Sequence, residues 1–388
     1  MDDRKKATAA EVDIKKVFGR SADQLILNVV KESCQDAFNL PSFTETLQTI
    51  KTHFYDRNYD AVFQNPAHLP VYSARYAPSR ALCYYHLFLE HPVLMKTLEG
   101  GPSTILCIGS GAGSELVGIA AAMVHANPVP KTKKKKASAD KPKKDAKGSD
   151  VILTGVEEQD SISVKGGDPS LERATDEAGT LGMENLNLSL TTTDTTLNTA
   201  DASSASSPIA TTTTTTTTKA KKARINRHQV TIVMQDYVDW SPILGPMETV
   251  VRARMQLGPE RLRCETEIGN VLDLSEGLLQ RIQKADLITF MFVLNELFQD
   301  KKRTMLLVAK IVAAMPAGAH MLVVDSAGSF SNLKVGERTY MVYMLLDHLK
   351  DLEIVYQDDA TWYRCPPSVT YPLKLENMRH FVRIYRKL

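Results

Sequence analysis

The chain has 388 residues, of which 43% are hydrophobic, so it can bury a large core. Its formal net charge of +2 is too small to indicate a nucleic-acid partner, so any basic surface must be local. The five cysteines are far apart and form no C-x-x-C pair, which argues against a structural zinc site or a disulfide framework and favours a reducing compartment. We expect no secretory signal and no membrane span, because the N terminus is charged and the most apolar run, residues 287–298, is short.

Residues 1–98 are predicted to form a helical extension. Hydrophobic residues recur at helical spacing in "SADQLILNVVKESCQDAF", and Ser21 precedes them where an N-cap is expected. A second helix is predicted after Pro41. A third is predicted to start after Pro78 and to end at Pro92, since proline disrupts the interior of a helix.

Residues 127–227 differ from the rest of the chain in composition. A lysine-rich part, "PKTKKKKASADKPKKDAKGSD", is followed by a threonine-rich part with few large apolar residues. Such a composition cannot offset the entropy lost on ordering, so this zone is predicted to be disordered, apart from one possible short strand in "DVILTGVEE". Strand-like segments lie on both sides of the zone, which is therefore interpreted as an insertion into one domain.

The parts of that domain, residues 99–126 and 228–388, alternate strand-like and helix-like segments. This alternation predicts an α/β fold with a parallel sheet covered by helices on both faces. A helix is predicted in "ELFQDKKRTMLLVAKIVAAMP", ended by Pro316 and Gly318. The predicted strands are "STILCIGS", "QVTIVMQD", "RLRCETEIGN", "ADLITFMFVLN" and "GAHMLVVDSAG".

A glycine-rich loop follows the first strand and consists of Gly109, Ser110, Gly111, Ala112 and Gly113. No lysine follows, which excludes a Walker phosphate loop. A dinucleotide fingerprint needs its third glycine at position 114, which is Ser114 here. The compact loop and the adjacent Glu115 suit a ligand without a pyrophosphate, such as S-adenosylmethionine (SAM), whose ammonium group an acidic neighbour can pair with.

Polar residues also follow the next three strands. Asp236 can accept hydrogen bonds from both ribose hydroxyls, whereas an NADP enzyme would favour a basic residue there. Asn270 or Asp273 can bond the adenine amino edge, and Asn295 and Glu296 follow the fourth strand. Each of these residues can instead be a turn residue or a helix cap. Together, at the edge of the sheet where ligands bind, they favour a nucleoside-type cofactor.

Several segments resemble the fungal SAM-dependent methyltransferases that act on large-subunit ribosomal RNA, and most closely the 25S rRNA uridine-N3 methyltransferases. The resemblance covers both structured zones and skips the insertion. It implies a class I methyltransferase fold, Rossmann-like and seven-stranded, in which "MRHFVRIYRKL" is a terminal antiparallel strand. It also implies SAM as cofactor, S-adenosylhomocysteine as product and no metal. The matching segments are "VYSARYAPSRALCYYHLF", "LCIGSGAGSE", "DYVDWSPIL", "FMFVLNELF", "VVDSAGSFSNLKVG", "YMVYMLLDHL" and "YPLKLENMRHFVRIYRKL".

The resemblance also implies roles for individual residues. The loop at 109–113 would contact the methionine moiety of SAM, and Asp236 the ribose. Asn270 and Val271 would lie near the adenine. Tyr237 would flank the adenine ring, a role for which Trp240 competes.

A uridine-N3 enzyme needs a base or a charge-stabilising contact, because N3 carries a proton. The predicted catalytic residues are Glu296, Asn295 and Asp325, at the ends of the fourth and fifth strands. The implied partner is ribosomal RNA or a pre-ribosomal particle, in the nucleus, nucleolus or cytoplasm. The lysine-rich clusters at 131–147 and 219–227 suit an RNA-binding arm or a nuclear-import segment.

The target base must leave its stack to reach these residues, so we also expect RNA contacts. The residues predicted to contact phosphates or bases are Arg75, Arg80, Lys334, Arg338, Arg364, Arg379, Tyr76, Tyr340, Tyr343 and Trp362. Three alternatives stay open: a methyltransferase acting on protein, a non-catalytic RNA-binding module, and an NAD(P)-dependent reductase, which the misplaced third glycine disfavours.

Overall fold

The computed structural model describes residues 19–127, 229–328, 332–335 and 338–388. These residues all belong to one compact unit. The predicted disordered insertion lies outside the described residues except for Asn127, as do the "DVILTGVEE" strand and both lysine-rich clusters. No helix among the described residues is long and apolar enough to cross a membrane.

Six helices of the described chain precede the sheet, where the sequence predicted a helical extension with three. Ser21 caps the first of them, since its Oγ accepts a hydrogen bond from the Gln24 amide at 3.2 Å. The single helix predicted here is two helices. The first ends at Ser33, and a separate short helix follows after Cys34. The helices are α1 Ala22–Ser33, α2 Gln35–Phe38, α3 Phe43–Tyr55, α4 Tyr59–Phe63, α5 His68–Glu90 and α6 Pro92–Glu99.

The predicted start of the third helix was wrong. Helix α5 begins at His68 and continues through Pro78, which has no amide hydrogen to donate to the carbonyl of Ala74. The Tyr371 hydroxyl donates to that carbonyl at 2.7 Å and so replaces the missing helical bond. A residue far along the chain therefore stabilises a helix that the local sequence argues against.

The sheet has seven strands in the order β3-β2-β1-β4-β5-β9-β8. The first five are parallel, and β9 is antiparallel to both of its neighbours, which confirms the predicted terminal strand. Two further strands, β6 and β7, form a separate hairpin. The strands are β1 Ser103–Ile108, β2 Val230–Asp236, β3 Leu262–Ile268, β4 Leu287–Met291, β5 His320–Ser326, β6 Asn332–Val335, β7 Arg338–Met341, β8 Leu352–Tyr363 and β9 Met378–Lys387.

Helices cover both faces of the sheet, and each face buries its own hydrophobic cluster. The N-terminal helices, α7 and α8 contribute to one cluster, and α9 to α12 to the other. The helix predicted after the fourth strand is divided in two, because Asp300 caps a new helix at the Arg303 amide. The remaining helices are α7 Ser114–Ala126, α8 Ser241–Met255, α9 Glu276–Ile282, α10 Leu294–Leu297, α11 Lys301–Ala314 and α12 Val342–Leu346, with a 3₁₀ turn at Val271–Asp273.

The two residues that flank segment 128–228 contact the same turn. The guanidinium of Arg261 donates to the carbonyl oxygen of Asn127 at 2.6 Å. The side chain of Gln229 donates to the carbonyl oxygen of Pro259 at 2.9 Å. The chain therefore leaves and re-enters the described fold at neighbouring points.

Candidate active site

A cavity of about 450 Å³ lies at the carboxyl edge of strands β1, β2 and β4. The loops after these strands form one wall. Helices α4 and α5 of the N-terminal region form the other wall, with Tyr59, Phe63, Tyr72, Arg80 and Tyr84. This wall was not predicted from the sequence, because no spacing rule relates a helical extension to the edge of a distant sheet.

Eight of the twelve predicted site residues line this one cavity. They are Gly109, Gly111, Glu115, Asp236, Tyr237, Asn270, Val271 and Glu296. The other four are Ser110, Gly113, Asn295 and Asp325, which lie next to lining residues without lining the cavity themselves.

Two glycines let the loop backbone form the cavity wall. A Cβ atom at Gly109 would lie 2.4 Å from a methyl group of Val293, and the backbone φ of 68° also disfavours other residues. A Cβ atom at Gly111 would lie 1.9 Å from Nε1 of Trp240. No side chain larger than hydrogen fits at either position without a movement of the loop.

The other two loop residues predicted to bind the cofactor, Ser110 and Gly113, support the shape of the loop. Gly113 has a φ of 83° and is the N-cap residue of α7. The Ser110 hydroxyl donates to the carbonyl oxygen of Cys107 at 3.1 Å and so faces back toward β1. Both residues therefore act on the loop conformation and not directly on a ligand.

Asp236 connects the glycine loop to the end of β2. Its Oδ2 accepts from the Gly111 amide and its Oδ1 from the Val238 amide, both at 3.1 Å. Burial raises the pKa of this carboxyl, and the two amide bonds oppose that shift. Each carboxylate oxygen keeps further acceptor capacity toward the cavity, as a ribose diol requires.

Of the residues predicted to lie near the adenine, two line the cavity and one does not. Asn270 and Val271 line the cavity, and Oδ1 of Asn270 accepts from the Leu272 amide at 3.0 Å. Asp273, the alternative to Asn270, does not line the cavity and forms an ion pair with Arg303 instead.

Tyr237 and Trp240 both line the cavity but differ in exposure. Tyr237 is 41% exposed and meets the edge of Phe63, whereas Trp240 is only 3% exposed and lies against Gly111. A partly exposed ring can flank a ligand without displacing its neighbours. Tyr237 is therefore the better placed of the two for the adenine ring.

Two carboxyl groups, the buried Glu115 and the half-buried Glu296, face the same cavity. Burial raises the pKa of Glu115 and of Glu296 to about 8, while the nearby Arg80 opposes both shifts. Groups with pKa values near neutrality are suited to proton transfer and are concentrated at functional sites.

Asp325 and Asn295 bind each other next to the cavity. The Asp325 carboxylate accepts from the Asn295 amide at 3.0 Å and from the Asn295 side chain at 2.6 Å. Burial raises the pKa of Asp325 to about 6, although these hydrogen bonds lower it. The pair fixes the start of α10, the helix that carries Glu296.

Several residues that were expected to contact RNA are buried instead. Arg80 lines the cavity, and Arg75 is tied to the carbonyl oxygen of Lys374 and to Glu376. Tyr343 is buried beneath the guanidinium of Arg383. Packing buries Arg75 and Tyr343, whereas Arg80 is half-buried and faces the cavity. Arg364, Arg379 and Trp362 are exposed, and the side chains of Lys334 and Arg338 lie outside the described residues.

The charges and unpaired atoms of the cavity suit a cationic nucleoside ligand. Arg80 is the one basic side chain among the described lining residues, against the five carboxyl groups of Asp60, Glu115, Asp236, Glu296 and Asp300. The Ser114 hydroxyl is 1% exposed, lines the cavity and has no hydrogen-bond partner among the residues that the structure describes. SAM carries a sulfonium and an ammonium group, so the residues present fit this cofactor.

The strand order, the glycine loop and the carboxylate after β2 together define a class I methyltransferase. A family model of SAM-dependent methyltransferases matches residues 30–386, so the chain belongs to that family. The family implies SAM as the cofactor.

The chain is similar to one curated protein and to several solved structures. It is 26% identical over 368 residues to the 25S rRNA (uridine-N3)-methyltransferase of Saccharomyces cerevisiae, covering 89% of this chain and 78% of that protein. A SAM-dependent methyltransferase from Methanosarcina mazei is 14% identical, with a TM-score of 0.27 over 41% of this chain and 82% of that chain. TehB from Haemophilus influenzae is also 14% identical, with a TM-score of 0.27, covering 42% of this chain and 51% of that chain. At such scores the fold assignment rests on the strand order and not on these structures.

Proposed function

We propose that this chain methylates N3 of a uridine in large-subunit ribosomal RNA. The observation that carries the proposal is that Glu296, a half-buried carboxyl with a pKa of about 8, faces the same cavity as Gly111 and Asp236. The name of the Saccharomyces cerevisiae relative supports the choice of substrate. A base beside a SAM site is what a nucleophile that carries a proton requires.

The cavity residues would hold the cofactor in distinct ways. The backbone at Gly109 and Gly111 would hold its methionine end, with Glu115 accepting from the ammonium. Asp236 would bind the ribose, and Asn270 and Val271 the adenine. Bound SAM supplies an electrophilic methyl group. The chain itself aligns the nucleophile and excludes water.

Glu296 would remove the proton from N3. Without cofactor, the Glu296 carboxyl is largely protonated at neutral pH, because burial disfavours its charged form. A cationic ligand nearby favours the carboxylate, so cofactor binding prepares the base. Asn295 and Asp325 would act as positioning residues, since they hold the start of the helix that carries Glu296.

The charge of the cavity selects which part of an RNA can enter. A cavity with five carboxyl groups repels phosphates but admits an uncharged base. The C-terminal end of β8 lies at the same edge of the sheet, because β8 is parallel to β5. Trp362, which is 54% exposed, and the exposed Arg379 are paired there across the strands. They would bind the flanking strand by stacking and by phosphate contacts.

The partner would be ribosomal RNA, free or within a pre-ribosomal particle. The protein would accordingly act in the nucleus, nucleolus or cytoplasm. The experiment incubates the full chain and Asp236→Ala with methyl-labelled SAM and either unmodified large-subunit RNA or assembling particles. Nucleosides from the digested RNA are then separated. Label in 3-methyluridine with the unmodified chain alone supports the proposal. Label in another nucleoside or in protein would overturn it.

A further inference from the structure

Arg80 is a half-buried cation that lines the cavity, and the cofactor contacts described above do not use it. We infer that Arg80 stabilises the negative charge that develops on the uracil ring when N3 loses its proton. The inference rests on the proposed function and assigns a catalytic residue that the sequence analysis placed among the surface phosphate contacts.

The guanidinium is held firmly at the cavity wall. Its Nη1 donates to the Tyr72 hydroxyl at 2.8 Å, and its Cζ lies 5.1 Å from the centroid of the Phe292 ring. It also lies 5.8 Å from the ring centroids of Tyr72 and Tyr76. Among the described residues it forms no ion pair with a carboxylate. An arginine stays charged even when buried, so its positive charge has no direct counter-ion.

The surroundings leave that charge largely uncancelled. The titratable groups that face Arg80 are Tyr72, Tyr76, Tyr84, Glu115, Glu296 and Asp325. The tyrosines are neutral because burial raises their pKa values. Glu115 and Glu296, with pKa values of about 8, are mostly neutral at pH 7. Asp325, whose pKa burial raises to about 6, is the anion among these groups at pH 7, but its carboxylate bonds Asn295 and forms no ion pair with Arg80 among the described residues. A cation at the cavity wall without an ion-paired carboxylate suits a ligand that becomes anionic.

Uracil is such a ligand. Loss of the N3 proton spreads a negative charge over O2, N3 and O4, and the guanidinium can donate a hydrogen bond to O2 or O4 while N3 stays free to attack the methyl carbon. The proton passes from N3 to the Glu296 carboxylate, and the electron pair left on N3 then forms the bond to the methyl carbon. Arg80 lowers the energy of this step because its attraction grows as the charge develops.

The carboxylate of the methionine moiety is the other anion that could pair with Arg80. The position over Phe292 favours uracil, because Phe292 follows β4 and precedes the helix that carries Glu296. The Phe292 backbone has a φ of 59°, a strained conformation for a residue with a side chain. Such strain is concentrated at functional sites. Phe292 offers a ring near the base, whereas the methionine moiety is assigned to the loop after β1.

The test compares Arg80→Gln with the unmodified chain on two transcripts of large-subunit RNA, one with uridine and one with 5-fluorouridine throughout. Fluorine makes N3 more acidic, so the second transcript needs less help to lose its proton. For Arg80→Gln we expect turnover on the uridine transcript to fall about 100-fold or more. The dissociation constant of SAM, measured by calorimetry, should change by less than about twofold. Replacement by 5-fluorouridine should rescue the variant about tenfold more than the unmodified chain.

Two further variants keep the inference falsifiable if Arg80→Gln does not fold. Tyr72→Phe removes the hydroxyl that holds Nη1, so it should show a smaller loss and a smaller rescue of the same kind. Arg263→Gln changes an exposed arginine on β3 that does not line the cavity, and it should show no selective rescue. A SAM affinity that weakens as much as turnover, or an equal effect of fluorine on variant and unmodified chain, would overturn the inference. Absence of 3-methyluridine with the unmodified chain would instead refute the proposed function.

Discussion

At the scale of single residues, the buried carboxyl groups make the stability of the protein depend on pH. Glu115 is 3% exposed, and its pKa rises from 4.5 to about 8 on folding. Between these values the folded state binds more protons than the unfolded state. The free energy of unfolding therefore decreases as the pH rises, and the loss is complete above the folded-state pKa.

We expect this trend to be weaker in Glu115→Gln, which has no carboxyl at that position. The measurement is the Tm of the ligand-free protein at about pH 5.5 and about pH 8.5. The unmodified chain should lose several degrees more than the variant between the two conditions. Glu276→Gln changes an exposed carboxyl and should behave as the unmodified chain does. Equal losses in all three proteins would show that Glu115 does not titrate in this range.

Asp236 is the residue whose removal should most weaken cofactor binding. Asp236→Ala removes the acceptor for the Gly111 amide together with the predicted ribose contact. Each hydrogen bond to a charged group is worth about 1.5–3 kcal/mol, so the dissociation constant of SAM should rise at least about tenfold.

Asp273→Ala is the matched control, because Asp273 was the alternative adenine contact and does not line the cavity. Calorimetry should find its affinity for SAM unchanged. A loss of affinity in Asp273→Ala but not in Asp236→Ala would reverse the assignment of the cofactor site.

At the scale of secondary-structure elements, α5 is the helix that depends most on contacts distant in sequence. Tyr371→Phe removes the hydroxyl bound to the Ala74 carbonyl and leaves that acceptor without its partner. The free energy of unfolding in urea should fall by about 1–3 kcal/mol. Tyr55→Phe removes the hydroxyl of an exposed side chain and should have no effect. Equal stability of both variants would mean that the Ala74 carbonyl finds another donor.

The same helix shows where prediction from the sequence fails. Four of the five parallel strands were predicted because each is a nearly continuous apolar run. Apolar and polar residues alternate in the fifth, the edge strand β3, and the Ser21 cap was predicted because its hydrogen bond is local. The start of α5 was predicted wrongly because Pro78 argues against a continuous helix, whereas its burial and the Tyr371 hydroxyl stabilise one. Interactions between distant parts of the chain decide such cases, and no local pattern encodes them.

At the scale of the whole molecule, the long segment at 128–228 should be separable from the catalytic fold. The residues that flank it both contact the turn at 259–261. Replacing the segment with a short glycine-serine linker should leave the SAM affinity unchanged. RNA binding should weaken and depend less on salt, because the lysine-rich clusters at 131–147 and 219–227 are lost. RNA affinities measured at several salt concentrations test this. An unchanged affinity and salt slope would exclude an RNA-binding role for the segment.

Only one wall of the cavity, the one formed at the ends of the strands, could be predicted from the sequence. Gly109, Gly111, Asp236 and Glu296 lie at the ends of β1, β2 and β4, which are neighbours in the sheet, and in a parallel sheet such positions share one edge. The wall formed by α4 and α5 was not predicted, because its position depends on tertiary packing alone. Arg80 was misassigned for this reason, since a sequence does not show whether an arginine on a helix faces solvent or a cavity.

The measurement that tests the account most directly is the turnover of Glu296→Gln. The variant keeps the shape of the side chain but cannot accept the N3 proton. We expect formation of labelled 3-methyluridine in large-subunit RNA to fall about 100-fold or more, with the dissociation constant of SAM changed by no more than a few-fold. The kcat/KM for SAM of the unmodified chain should rise with pH up to about 8, where Glu296 of the free protein becomes the carboxylate. Unchanged formation of 3-methyluridine by Glu296→Gln would contradict the account.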